Sequence, residues 1–144
     1  MSFRFLRWYG LRLLTACGVA GLLAACQHDL SAPSAPQDPT TFSSIQANIL
    51  TPRCVNAGCH PGGNAPMSLA AGAAYNNLVN VNSATYGKPR VSPGNPNNSV
   101  LYLKLIGDNS IGGSAGRMPP GQPALSVSAI QAVRDWIAKG APND

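Results

Sequence analysis

The chain has 144 residues, enough for one small domain, with 15 Gly, 13 Pro, only 10% charged residues and a formal net charge of +5. No basic cluster is interleaved with aromatics, so nucleic-acid binding has no support, and Glu occurs nowhere in the chain, so general acid–base catalysis lacks its usual carboxylates. There is no internal repeat, and the Gly-rich stretches are too short to count as low complexity.

Arg4, Arg7 and Arg12 precede or border the apolar stretch LLTACGVAGLLAA (13–25). It has the length of a signal-peptide core and falls short of the roughly 20 residues that span a bilayer. Small residues in LAAC (23–26) stand just before Cys26, and the segment resembles the lipobox at which bacterial lipoproteins are cut and acylated. That resemblance implies a signal peptide over 1–25 and Cys26 as the first mature residue, carrying acyl chains such as palmitate. Ordinary cleavage after an A-x-A-like site is the alternative. Stable attachment needs more than one chain, which lipoproteins of this kind carry. The expected place is the cell envelope, membrane-anchored and facing the periplasm. Gln27, where an Asp often signals retention in the inner membrane, points to the outer one. Loss of residues 1–25 leaves Arg53, Lys88, Arg90, Lys104, Arg117, Arg134 and Lys139 against five Asp, a mature net charge of +2.

Residues 26–41, with QHDLSAPSAPQDPT at 27–40, are rich in Pro, Ser and Ala and read as a tether. The domain is expected over 42–144 and to be all-α. Phe42, Ile45 and Ile49 share one helical face, with Thr40 or Thr41 placed to cap and Pro52 to stop the helix just before Cys54. LAAGAAYNNLV (69–79) and NNSVLYLKLIG (97–107) read as helices, although VLYLKLI fits a strand equally by periodicity. The stretch 80–98 is a long loop that is either organised by something or mobile. Ser126 caps a final helix with Ile130, Val133, Trp136 and Ile137 on one face, Leu125 and Ile130 as a hydrophobic staple, and Gly140 and Pro142 as stop signals. The first and last helices are expected to pack together, Phe42, Ile45 or Ile49 facing Val133 and Trp136. The mature chain has five aromatics and much Ala, which makes a modest core. A large planar cofactor would add the missing apolar volume.

The chemistry-bearing segment is CVNAGCH (54–60). It puts two thiols and an imidazole within seven residues and resembles the C-x-x-C-H signature of covalent haem attachment, with four residues between the cysteines instead of two. On an ideal helix, at about 100° per residue, Cys59 would lie about 140° away from Cys54, so the insert has to leave helical geometry. Gly58 makes that feasible, and the step from Cys59 to His60 is unchanged. A second segment, GRMPPGQPALS (116–126), holds Met118 before Pro119, which keeps the methionine out of a helix and makes it a candidate sixth ligand.

The order of these elements, with IQANILTPRC (45–54), VSPGNP (91–96) and RMPPG (117–121), resembles monohaem class I cytochrome c and the cytochrome c-like domains of bacterial exported proteins. The likeness covers about residues 42–141. It implies one haem c bonded to Cys54 and Cys59, with His60 and Met118 as axial iron ligands. The expected role is single-electron transfer to redox partner proteins of the envelope, without bond-making catalysis. The residues leave other readings open. Cys54 and Cys59 could close a disulfide in a haem-free structural or interaction module, and an open coordination site would make a haem enzyme or sensor. Met118 could be core filler, with Met67 as the fallback ligand. Trp136 reads as core and His28 as solvated. Two Cys and one His fall short of a four-ligand zinc site, and GGSAG (112–116) lacks the strand–helix setting of a nucleophile elbow.

Overall fold

The structure is a computed structural model that describes residues 38–62, 67–112 and 116–144. Expectations for residues 1–25, Cys26, His28 and the tether up to residue 37 fall outside that range. The described part is helical; its only extended pairings are two isolated bridges, Val79 with Val91 and Asn82 with Pro89.

Helix α1 opens at Phe42–Ile45. Thr41 is its N-cap, with extended backbone and a hydroxyl that accepts from the Ser44 amide at 3.1 Å. The amides of Phe42 and Ser43 donate to Asp144, to Oδ1 at 2.7 Å and to the backbone carbonyl at 2.9 Å. Beyond Ile45 the helix does not stop at Pro52. It widens into a π-helix over Gln46–Val55, so Cys54 sits on its last turn rather than beyond its end. An α-register at Pro52 would press the ring onto the carbonyl four residues back. The wider turn relieves this by bonding i to i−5, as in the 2.8 Å bond from the Asn56 amide to Thr51 O. The Asn48 side-chain amide fills in by donating to Ser44 O at 2.9 Å.

Helix α2 is Ala74–Leu78, much shorter than the expected 69–79. Gly72 explains the late start: its φ of +80° is left-handed, so residues 70–73 form turns instead of an earlier helical turn. Helix α3 is Val100–Ile106, which settles VLYLKLI as helix. It is buried nearly all round. Leu101 and Leu105 join the main core, while Val100 and Leu103 meet Ile111 in a second cluster. A helix covered on so many sides carries no clear amphipathic period.

Helix α4 is Val127–Ala138. Ser126 caps it as expected, accepting from the Ala129 amide at 3.2 Å. Its far end is a Schellman motif: Gly140 N donates to Ile137 O and Ala141 N to Trp136 O, both at 3.0 Å, with Gly140 at φ +101°. Helices α1 and α4 share one core. The Phe42 and Trp136 rings lie 5.3 Å apart, Tyr75 meets Phe42 edge-on at 5.2 Å, and Trp136 Nε1 donates to Pro142 O at 2.9 Å.

The long segment 80–98 is organised. Besides the two bridges, Arg90 N donates to Val81 O at 2.7 Å and Ser83 N to Lys88 O at 2.9 Å. Ser99, fully buried, accepts from Ser92 N and donates to Asn95 O, both at 2.9 Å. Among the described residues no helix is long and apolar enough to cross a membrane.

Candidate functional site

The last π-helical turn delivers Cys54 into a tight reversal. Gly58 N donates to Val55 O at 2.8 Å and His60 N to Cys54 O at 2.9 Å, closing the C-x4-C-H segment on itself. Gly58 takes φ +78°, the conformation the longer insert requires to leave helical geometry. Both thiols are free, and Cys59 Sγ lies 3.7 Å from Ala57 O. Burial, and then the neighbouring Cys59, push the Cys54 thiol up to about 11, against the pull of Arg53. At neutral pH it is therefore a protonated thiol and not a thiolate nucleophile.

The histidine is held from behind. His60 Nδ1 lies 3.3 Å from Met67 O, and a carbonyl only accepts, so Nδ1 is the donor in this bond and Nε2 is the ring nitrogen it leaves unengaged. His60 O accepts from Leu69 N at 2.9 Å, which fixes the backbone on the same side. An imidazole oriented in this way by a backbone carbonyl has the form of a metal-ligating histidine.

These groups face a cavity of about 530 Å³, within the roughly 300–1,000 Å³ of cofactor and ligand sites. Cys54, Cys59 and His60 line it together with Met67, and Met118 lines it from a segment 58 residues away, followed by Pro119 and Pro120. All four predicted site residues of the domain thus meet around one space. The Met118 amide donates to Lys104 O at 2.8 Å, which docks its loop on α3. Arg53 Nη2 reaches the same loop at Pro123 O, 3.3 Å away. Trp136 takes no part, being wholly buried in the main core. Cys26 lies outside the described residues.

Sequence reasoning missed the basic part of the wall. Arg90 and Lys104 both line the cavity, and among the described residues no Asp or Glu does. Arg90 is anchored through Nη1 to Asn77 O at 2.8 Å, the one acceptor its guanidinium takes among the described residues. Lys104 is only 7% exposed, and its ammonium stands 5.2 Å from the centre of the Tyr86 ring. A lysine inside the apolar run VLYLKLI was a visible signal. Arg90, in a loop without periodicity, offered none.

The donor set fits a haem. The wall is largely apolar, as the porphyrin plane requires, it presents two free thiols, and it has an imidazole with an available Nε2 and a thioether from a separate segment. Arg90 and Lys104 supply positive charge for a ligand that bears carboxylates. Among the described residues no three His, Cys, Asp or Glu side chains gather as they would around a bare metal ion. No family model matches the chain, and no curated protein or solved structure matches it.

Proposed function

We propose that this protein is a single-electron carrier of the cell envelope, with a class I cytochrome c-like domain, one haem c bonded through Cys54 and Cys59, and His60 and Met118 as axial ligands. The observation that carries this reading is the meeting of Cys54, Cys59, His60 and Met118 on one largely apolar cavity. When bound, the haem would supply the iron whose oxidation state stores the electron. The chain's own residues do the rest. His60, its Nδ1 proton engaged by Met67 O, holds Nε2 in a fixed direction. Met67 is tied to His60 through that same bond, whereas Met118 comes from a separate segment, so Met118 is the residue that would hold the iron together with His60. The apolar wall would shield a bound haem from water, and Arg90 and Lys104 would balance its carboxylates. If His60 and Met118 both hold the iron, the bound haem would supply electron transfer and would leave no open site for oxygen or peroxide.

Upstream, acylation at Cys26 would anchor the domain to the membrane through the 26–41 tether. The test is an optical spectrum of protein matured in a host able to attach haem. The expected result is a c-type spectrum in which Met118→Ala alters the ferric form and opens the ferrous form to CO. A wild-type protein without c-type absorbance contradicts the reading and favours a haem-free module. A Met118→Ala spectrum identical to wild type, with CO binding in both without ligand displacement, favours an open-site sensor or enzyme.

A further inference from the structure

The segment Arg117–Pro123, RMPPGQP, has prolines at three of its seven positions, so three backbone N–H donors are missing. Such a segment cannot fasten itself by an amide ladder. It must be held chiefly through its carbonyls, and three of them accept from arginine: Met118 O from Arg117 Nη1 at 3.5 Å, Gln122 O from Arg117 Nη2 at 2.9 Å, and Pro123 O from Arg53 Nη2 at 3.3 Å. The Met118 amide adds the bond to Lys104 O on α3.

The two arginines differ in what they join. Arg117 bonds within its own loop, whereas Arg53, near the π-helix end and one position before Cys54, spans 70 residues of sequence to reach Pro123. Pro123 O is the only acceptor the Arg53 guanidinium takes among the described residues. The turn that would attach the haem and the loop that would supply its distal ligand are therefore bonded directly to each other.

We infer that Arg53 is a positioning residue for Met118, latching the 117–123 loop to the Cys54 turn so that the thioether stands over the cavity. The inference rests on the proposed haem reading and assigns to Arg53 the control of distal ligation. A cation fits this place because a guanidinium–carbonyl bond is charge-assisted and outlasts a neutral one at a half-exposed site. Fixing Cys54 to the porphyrin would fix Arg53 beside it, so attachment on one side steadies the ligand loop on the other.

The experiment compares Arg53→Leu and Arg53→Lys with wild type in the full-length, haem-loaded protein. Intact mass is expected to show covalent haem in all three. In Arg53→Leu, the sulfur-to-iron charge-transfer band of the ferric form should weaken, and the Met-dissociated fraction, read by CO binding to the ferrous form, should rise about fivefold. Arg53→Lys, which can still donate one charged hydrogen bond, should recover part of both signals. A purely structural role would lower stability in Arg53→Leu without changing the band. In the haem-free full-length chain, the Gly121 and Gln122 amides should exchange faster in Arg53→Leu than in wild type. Equal bands and equal exchange in wild type and Arg53→Leu overturn the inference while leaving the haem reading intact. A wild-type mass without haem refutes the haem reading itself, and with it the role assigned to Arg53.

Discussion

Around Trp136 the chain is held by apolar contact; around His60 it is held by backbone hydrogen bonds and left-handed glycine. Ile45, Val133, Trp136 and Ile137 are fully shielded from solvent, while Cys54, Cys59, His60 and Met118 are all half-buried. Core residues sit on α1 and α4, whose caps and apolar faces are local in sequence. Cavity residues come from several separate segments, held by polar contacts such as His60 to Met67 and Met118 to Lys104. A core of this kind sets stability, and a wall of this kind sets geometry. Damage to the two should therefore separate in experiment.

The largest effect is expected in the core. Trp136→Ala removes a wholly buried indole, its contact with Phe42 and its bond to Pro142 O, and should cost about 3–5 kcal/mol, read as a fall in denaturant midpoint. Any haem spectrum should keep its ligand signature until the protein unfolds. Gly107→Ala is the counterpart in the wall. Gly107 has φ +75°, and an added methyl would stand 3.1 Å from the Arg117 Cβ, so the Arg117 end of the Met118 loop must give by a few tenths of an ångström. The backbone strain alone is about 1–2 kcal/mol. The expected outcome is a modest loss of stability with a disproportionate loss of Met118 ligation. Equal and proportionate losses in the two variants would dissolve the distinction between core and wall.

Ser126→Ala should cost about 1 kcal/mol through loss of the bond to the Ala129 amide, measured by thermal unfolding, with the site untouched. The last effect is one of pH, confined to alkaline solution and to the haem-free chain. Cys54 titrates at about 11 in the folded state against an ordinary 9.0, because burial disfavours the thiolate. Its contribution to stability is complete below pH 9 and fades as pH rises toward 11. Cys54→Ala should flatten that decline in a pH series of unfolding midpoints. At pH 8, iodoacetamide should label Cys54 slowly.

Much of the core was legible because its signals are local. Ser126, the face from Ile130 to Ile137 and Gly140 define α4 from end to end, and Thr41 and Phe42 begin α1. The end of α1 was not legible, because Pro52 ordinarily stops an α-helix and nothing in the sequence announces the wider π-register that carries it to Val55. Gly72 truncates α2 by one left-handed residue inside an otherwise helical composition. The site's named residues came from motif spacing, and Gly58 made the longer insert believable. Arg53 and Arg90 escaped because their roles depend on partners 70 and 13 residues away, Pro123 and Asn77, which no periodicity links to them, whereas Lys104 stood out in the apolar run VLYLKLI but its partner Tyr86 did not.

The central claim is that Cys54 and Cys59 join a porphyrin rather than each other. Intact mass of the mature protein, followed by mapping of the peptide spanning residues 54–60, tests it most directly. The account predicts the polypeptide plus one haem, held on both cysteines, with attachment by a single cysteine in Cys54→Ser and in Cys59→Ser. A mass of the polypeptide alone, two hydrogens light and with a Cys54–Cys59 disulfide in the mapped peptide, would contradict it.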